Sequence, residues 1–152
     1  MIELWGKYTW IMLHTLAEKI KPEYKNDITI VKDFWNQIQI LITNLPCPYC
    51  SSHAAKFLKT VIHNKIKHTD DIKMILFTFH NNVNKRLNKN IFEKNDLQIY
   101  SSKNTVSSFN DFYYNFNTAT NHGMAFHKSL LAKHTLSMFQ KWFIENKNVF
   151  NM

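Results

Sequence analysis

Pro46-Cys47-Pro48-Tyr49-Cys50 holds both cysteines of this 152-residue chain. Two thiols at Cys-x-x-Cys spacing serve one of two chemistries: they close a small reversible disulfide or supply half of a metal site. A purely structural bridge is a poor third reading, because closing so short a loop removes little entropy from the unfolded chain. The motif also marks a structural boundary. The residue before a proline disfavours α geometry, so Leu45-Pro46 ends the segment upstream. The segment downstream reads as a helix from Pro48 or Tyr49 to about residue 64, with Ala54, Phe57, Leu58, Val61 and Ile62 facing inward. Cys50 then lies near a helix N-terminus, where free N–H groups and the helix dipole favour thiolate over thiol. His53, three residues on, shares its face and either tunes the thiol, meets a cofactor or is simply solvated.

Upstream, residues 28–44 form a clean amphipathic stripe through Ile28, Val31, Phe34, Trp35, Ile38, Leu41 and Ile42, which suits core or a dimer surface. Residues 5–20 form the first helix, closed by Lys21-Pro22, and place Trp10 four residues before His14 on one face. Packing of an indole on a satisfied histidine is the ordinary reading of that pair. Downstream, Asp70 or Asp71 caps a helix reaching about residue 88. It carries Phe77-Thr78-Phe79-His80-Asn81-Asn82-Val83-Asn84-Lys85-Arg86-Leu87-Asn88-Lys89, in which His80, Asn84 and Leu87 share a stripe beside Phe77 and Val83. If buried, such a stripe needs polar partners, which a heteroaromatic ligand bearing phosphates would supply. A solvated asparagine-rich face is the alternative. Residues 91–100 read as a short fifth helix or turn. Residues 101–123 are polar, but Phe109, Phe112, Tyr113, Tyr114 and Phe116 imply that they pack on something. Residues 124–147 read as a last helix.

Composition bounds the rest. The length suits one domain with a real core. Only Gly6 and Gly123 are present, too few for nucleotide-binding α/β folds or all-β folds. No apolar run is long enough to span a bilayer, and residues 1–7 do not resemble a signal peptide. One cysteine pair does not resemble a secreted disulfide scaffold and fits a reducing compartment. The net charge of +8 comes from scattered lysines that solvate helices, so no nucleic acid is expected as partner.

Two simpler readings of the cysteines meet obstacles. Cys47-x2-Cys50-x12-His63-x4-His68 satisfies zinc-finger spacing, but Ala54 and Thr60 stand where such a finger places its core Phe and Leu. Cys-Pro-Tyr-Cys is also the glutaredoxin active-site sequence. That fold needs a downstream cis-proline and a Gly-Gly turn, and no proline follows Pro48.

Three motifs in order resemble the Erv/ALR family of FAD-dependent sulfhydryl oxidases, most of all the forms encoded by large DNA viruses of eukaryotes. Gly6-Lys7-Tyr8-Thr9-Trp10-Ile11-Met12-Leu13-His14 is similar to the family's Gly-Arg-x-x-Trp-x-x-x-His. Leu45 to Cys50 matches its Cys-x-x-Cys. His80, Asn81, Val83, Asn84, Leu87 and Lys89 match His-Asn-x-Val-Asn-x-x-Leu-x-Lys. The resemblance covers about residues 4–100. It implies an all-α fold, a four-helix bundle plus a short fifth helix binding FAD, over residues 1–100. Residues 101–152 would be a partly helical C-terminal extension packed on that domain or at a dimer interface.

By the same resemblance Cys47 and Cys50 are catalytic. Cys50 sits against the flavin, and Cys47 is the exposed member attacked by substrate thiolate. Electrons pass from a protein dithiol to Cys47–Cys50, to FAD and to O2, releasing H2O2. Gly6, Lys7, Trp10, His14, His53, Phe77, His80, Asn81, Val83, Asn84, Leu87, Lys89 and Tyr100 are the expected cofactor-binding residues. A homodimer without metal is implied, in host cytoplasm at virus assembly sites or in the virion. Three departures stand out: Lys7 replaces the usual Arg, Ile75 a frequent Trp, and no second cysteine pair is present to relay electrons from substrate. The competing expectation is a flavin-binding or interaction module of the same fold without turnover.

Overall fold

The computed structural model describes residues 2–152, with side chains from Leu4 onward. The reading of residues 1–7 as lacking a signal peptide therefore falls partly outside the described residues. Six α-helices follow one another: α1 (Ile2–Lys19), α2 (Ile28–Ile42), α3 (Pro48–Leu58), α4 (Thr69–Arg86), α5 (Thr105–Thr120) and α6 (Phe126–Glu145). Short 3-10 turns link them, the longest being Lys94–Ser102. Among the described residues there is no strand, only an isolated antiparallel bridge between Ile20 and Phe150. The chain is all-α, as its sequence predicts.

The α1 helix is the central rod. Glu18 pairs with Lys73 of α4 at 2.8 Å while Trp10 stacks on His80, so α1 and α4 run antiparallel. Trp5 meets Phe116 of α5 edge-on, whereas the other end of α1 is tied to the chain terminus next to Thr105. Thus α5 is antiparallel to α1 as well. The ties are Lys21 N–H to the Val149 carbonyl (2.9 Å), Asn151 N–H to the Lys19 carbonyl (2.7 Å), and the Thr105 hydroxyl to the Asn151 carbonyl. A continuous apolar cluster fills the space between helices, with Leu13 and Leu16 of α1, Phe34 and Ile38 of α2, Ile72 of α4, Phe112 and Phe116 of α5, and Leu136 and Phe139 of α6. Residues 101–152 therefore share the core of the rest of the chain. Phe109 stacks on Phe143 at 4.2 Å, and Phe34 lies parallel to Trp142 at 5.6 Å.

Local chemistry sets the helix ends, and several differ from the sequence expectation. The α3 helix stops at Leu58, not near residue 64. The His63 ring folds back, donating from Nε2 to the Leu58 carbonyl (3.1 Å) and accepting the Trp35 indole N–H at Nδ1 (3.0 Å). The β-branched run Thr60-Val61-Ile62 adds little incentive to continue. The α4 helix is capped by His68, whose Nδ1 accepts from Asp70 N–H, while the Asp71 carboxylate accepts from His68 N–H. This is a capping box with imidazole in place of the usual hydroxyl, so neither aspartate is the N-cap itself. At the other end Asn88 adopts a left-handed φ of 55°, which Asn tolerates better than most residues. The predicted fifth helix is the 3-10 turn Lys94–Ser102. The polar stretch after it is a sixteen-residue α-helix, α5, with Asn104 as N-cap.

Because Phe112 is fully buried at the α5–α6 junction, Phe112→Ala is expected to cost about 3–5 kcal/mol. Chemical denaturation checks this; a cost near zero would make α5 a peripheral appendage.

Candidate active site

A cavity of about 540 Å³ opens between α1, the start of α3, α4 and the loop after α4. That is a common size for a cofactor or small-molecule site. Trp10 of α1 forms its inner wall, lying parallel to His80 of α4 with ring centres 4.0 Å apart and 6° between planes. His14, one turn along α1, sits behind that stack. Its Nε2 is 2.9 Å from His80 Nδ1, and its ring stacks on Tyr100 at 4.8 Å. The spacing of four residues that aligns Trp10 with His14 is what brings both rings to one neighbour on α4.

Neither imidazole is cationic near neutral pH. Burial, reinforced by the neighbouring His80, pushes His14 down to about 3. Burial, then the Lys89 ammonium, pushes His80 down to about 4. Two neutral rings sharing one N···N contact need one donor and one acceptor, so the tautomer of each fixes that of the other. His53 also lies below its ordinary value, through burial first and then the Arg86 and Lys56 charges. Burial raises the Tyr100 phenol.

Cys47 and Cys50 are joined as a disulfide at the start of α3. Cys47 is the N-cap, and its Sγ accepts the Cys50 N–H at 3.1 Å. The helix N-terminus thus aims the N–H of its third residue at Cys47, with Cys50 at that third position of the first turn. Cys50 lines the cavity and Cys47 does not. The pair therefore spans from the cavity wall to the outside of it.

The wall brings together Gly6, Lys7, Trp10, Cys50, His53, His80, Val83, Asn84, Leu87, Lys89 and Tyr100. Three expected residues stand elsewhere. His14 lies behind the Trp10–His80 stack; Phe77 is half-buried off the wall; Asn81 turns away and bonds to the Phe92 backbone. Sequence reading did not assign Phe79, Phe92, Tyr49 or Arg86, which all line the cavity. Phe79, Val83 and Arg86 follow helical spacing beside the His80, Asn84, Leu87 stripe, so that signal was present. Ile75 borders a separate shallow groove between α3 and α4.

Several observations suit a polar, heteroaromatic, phosphate-bearing occupant. His53 Nδ1 and Arg86 Nε belong to wall residues, are shielded from water and have no protein partner. A Cβ placed on Gly6 would meet nothing within 4 Å. Lys7, Arg86 and Lys89 give the wall positive charge. The histidines of the zinc-finger spacing have other partners: His63 is engaged by Trp35 and Leu58, and His68 caps α4.

The profile of the Erv1/Alr family matches residues 7–107, two-thirds of the chain and all of this cavity's lining except Trp5 and Gly6. The chain belongs to the Erv1/Alr family. Curated relatives include an FAD-linked sulfhydryl oxidase of African swine fever virus (a Kenyan pig isolate), 36% identical over 89 residues, covering 57% of this chain and 71% of the relative. The protein of the same description from a Malawian tick isolate is 34% identical over 107 residues, covering 67% and 86%. An Invertebrate iridescent virus 3 protein is 31% identical over 88 residues, covering 57% and 58%. No solved structure matches significantly. Among the described residues no helix is long and apolar enough to cross a membrane.

The buried histidines make stability pH-dependent. Both have an ordinary value of 6.5, so below that pH the unfolded chain binds protons that the folded one refuses. Stability should be full above pH 6.5, decline progressively below it, and level off only below about 4 for His80 and about 3 for His14. Thermal melting between pH 7 and pH 4 measures this, and His80→Gln should flatten the decline.

Proposed function

We propose that this chain is an FAD-dependent thiol oxidase that makes disulfides in protein substrates. The observation that carries the reading is the Cys47–Cys50 bridge, with Cys50 on the cavity wall and Cys47 off it. The Erv1/Alr assignment and the printed names of the viral relatives support it.

The chemistry of the chain's own residues follows from that placement. A substrate thiolate attacks Cys47 Sγ, the Cys47–Cys50 bond breaks, and Cys50 leaves as thiolate beside the cavity. The second substrate thiol then displaces Cys47, so substrate departs as a disulfide and the chain keeps two electrons as a dithiol. The Cys50 N–H and the first turn of α3 favour thiolate at Cys47 once it is released. FAD held in this cavity would supply the redox chemistry, accepting two electrons from the dithiol and passing them with two protons to O2 as H2O2. Trp10, Phe79 and Tyr100 give the wall aromatic, mainly apolar surface. Lys7 and Lys89 suit the cofactor's phosphates, and His53 shares the wall with Cys50, three residues further along α3.

With no second cysteine pair, the substrate is a separate protein's dithiol docking directly at Cys47. The working form is a homodimer in host cytoplasm, at virus assembly sites or in the virion. The viral relatives support the setting, and the family resemblance supports the dimer.

The test is the visible spectrum of the purified protein before and after dithiothreitol. Flavin bands that bleach with dithiol and return in air are expected. A flavin indifferent to dithiol would remove the enzyme, and a colourless protein would remove the cofactor. Cys50→Ser should lose turnover by several orders of magnitude and accumulate mixed disulfides through Cys47.

A further inference from the structure

Residues 87–93 have no regular structure, yet Leu87, Lys89 and Phe92 all line the cavity. The segment starts where Asn88 turns into the left-handed region, and Lys89 N–H donates to the Asn84 carbonyl at 2.8 Å. It ends where Glu93 N–H donates to the Asp96 carboxylate at 2.7 Å. Between those points Asn90 and Ile91 are exposed. Between those anchors one side chain, Asn81, hydrogen-bonds the backbone of the span. Asn81 Nδ2 donates to the Phe92 carbonyl at 2.9 Å, and Phe92 N–H donates to Asn81 Oδ1 at 2.8 Å. A primary amide presents one donor and one acceptor side by side, as a paired backbone does. Asp lacks the donor and Leu lacks both. The Phe92 ring is thereby set against His80 at 4.9 Å, and its far neighbour is His14 at 6.5 Å.

We propose that Asn81 is a positioning residue that clamps residues 87–93 as a strap across the cavity, and that Phe92 is the ring by which the strap retains the bound cofactor. One N–H and the oxygen of the Asn81 amide are committed to Phe92, and Asn81 itself is not on the wall. The histidine next to it faces the cavity while Asn81, one residue further round the helix, faces the strap. The same pair of adjacent residues therefore builds both the wall and its closure. This inference rests on the reading that the cavity holds FAD.

Hydrogen exchange at the Phe92 amide and the rate of flavin release, on the purified flavoprotein, test it. In Asn81→Leu, exchange at Phe92 and flavin release should each rise on the order of tenfold or more, with far-UV helicity retained. In Phe92→Leu, flavin release should rise while the residue-92 amide stays protected, since the clamp contacts only backbone. This second variant decides the matter should Asn81→Leu fail to fold. Faster exchange with wild-type flavin release would overturn the strap. Fast release with an unchanged Phe92 amide would mean that Asn81 touches the cofactor directly, and would overturn the clamp. A wild-type protein without flavin fails the functional reading instead, and the exchange measurement on that protein still reads the clamp.

Discussion

Across the seam between α1 and α4, His14 and His80 share one N–H···N contact of 2.9 Å in a place too dry for either to carry charge. Much of the cavity depends on that constraint. It fixes the angle of His80, on which Trp10 lies flat, and it sets the back surface against which Tyr100 packs. The same two helices are also joined by Glu18 and Lys73 at 2.8 Å, a half-buried ion pair whose attraction is offset by the desolvation of both groups. One buried aromatic pair contributes about 0.5–1.5 kcal/mol beyond its area burial. The stacked rings, together with the apolar area they remove from water, act with the ion pair in holding α1 to α4.

The cavity occupies one end of a bundle whose other helices are organised for burial. Phenylalanine does most of that work in α5 and α6, where Phe109, Phe112, Phe139 and Phe143 interlock edge-on and face-on. These rings cover α1 and α2, leaving the α3 and α4 side to form the cavity. The division explains why α1 can be apolar on so many sides. It faces α4 with Trp10 and His14, and α5 with Trp5.

Helix existence was legible in the sequence wherever apolar spacing was long and regular, as in α1, α2, α4 and α6. Boundaries were not, because tertiary partners decide them. Nothing local to α3 announces that His63 will turn back onto Leu58 with Trp35 of α2 as its second partner. The α5 helix was hidden by its own composition. Asn, Ser and Thr are weak helix formers, and only the spacing of Thr105, Ser108, Phe109, Phe112, Phe116 and Thr120 discloses its buried face. The motif residues of the candidate site were readable because they recur as whole patterns. Phe92 and Arg86 were not read, because one stands in an irregular loop and the other looked like one more solvated cation.

The pairing of α1 with α5 and with the last residues of the chain has a consequence for biosynthesis. The first helix leaves the ribosome with Trp5, Leu13 and Leu16 unburied, and its partners Phe112 and Phe116 lie about a hundred positions later. Contacts so distant along the chain cannot reward the closing of the intervening loop until α5 has been made. The cavity, although encoded almost entirely by the first hundred residues, is thus completed after translation of the segment that contributes nothing to its wall. Until then the nascent chain exposes an apolar rod that chaperones, or a second nascent copy, can capture.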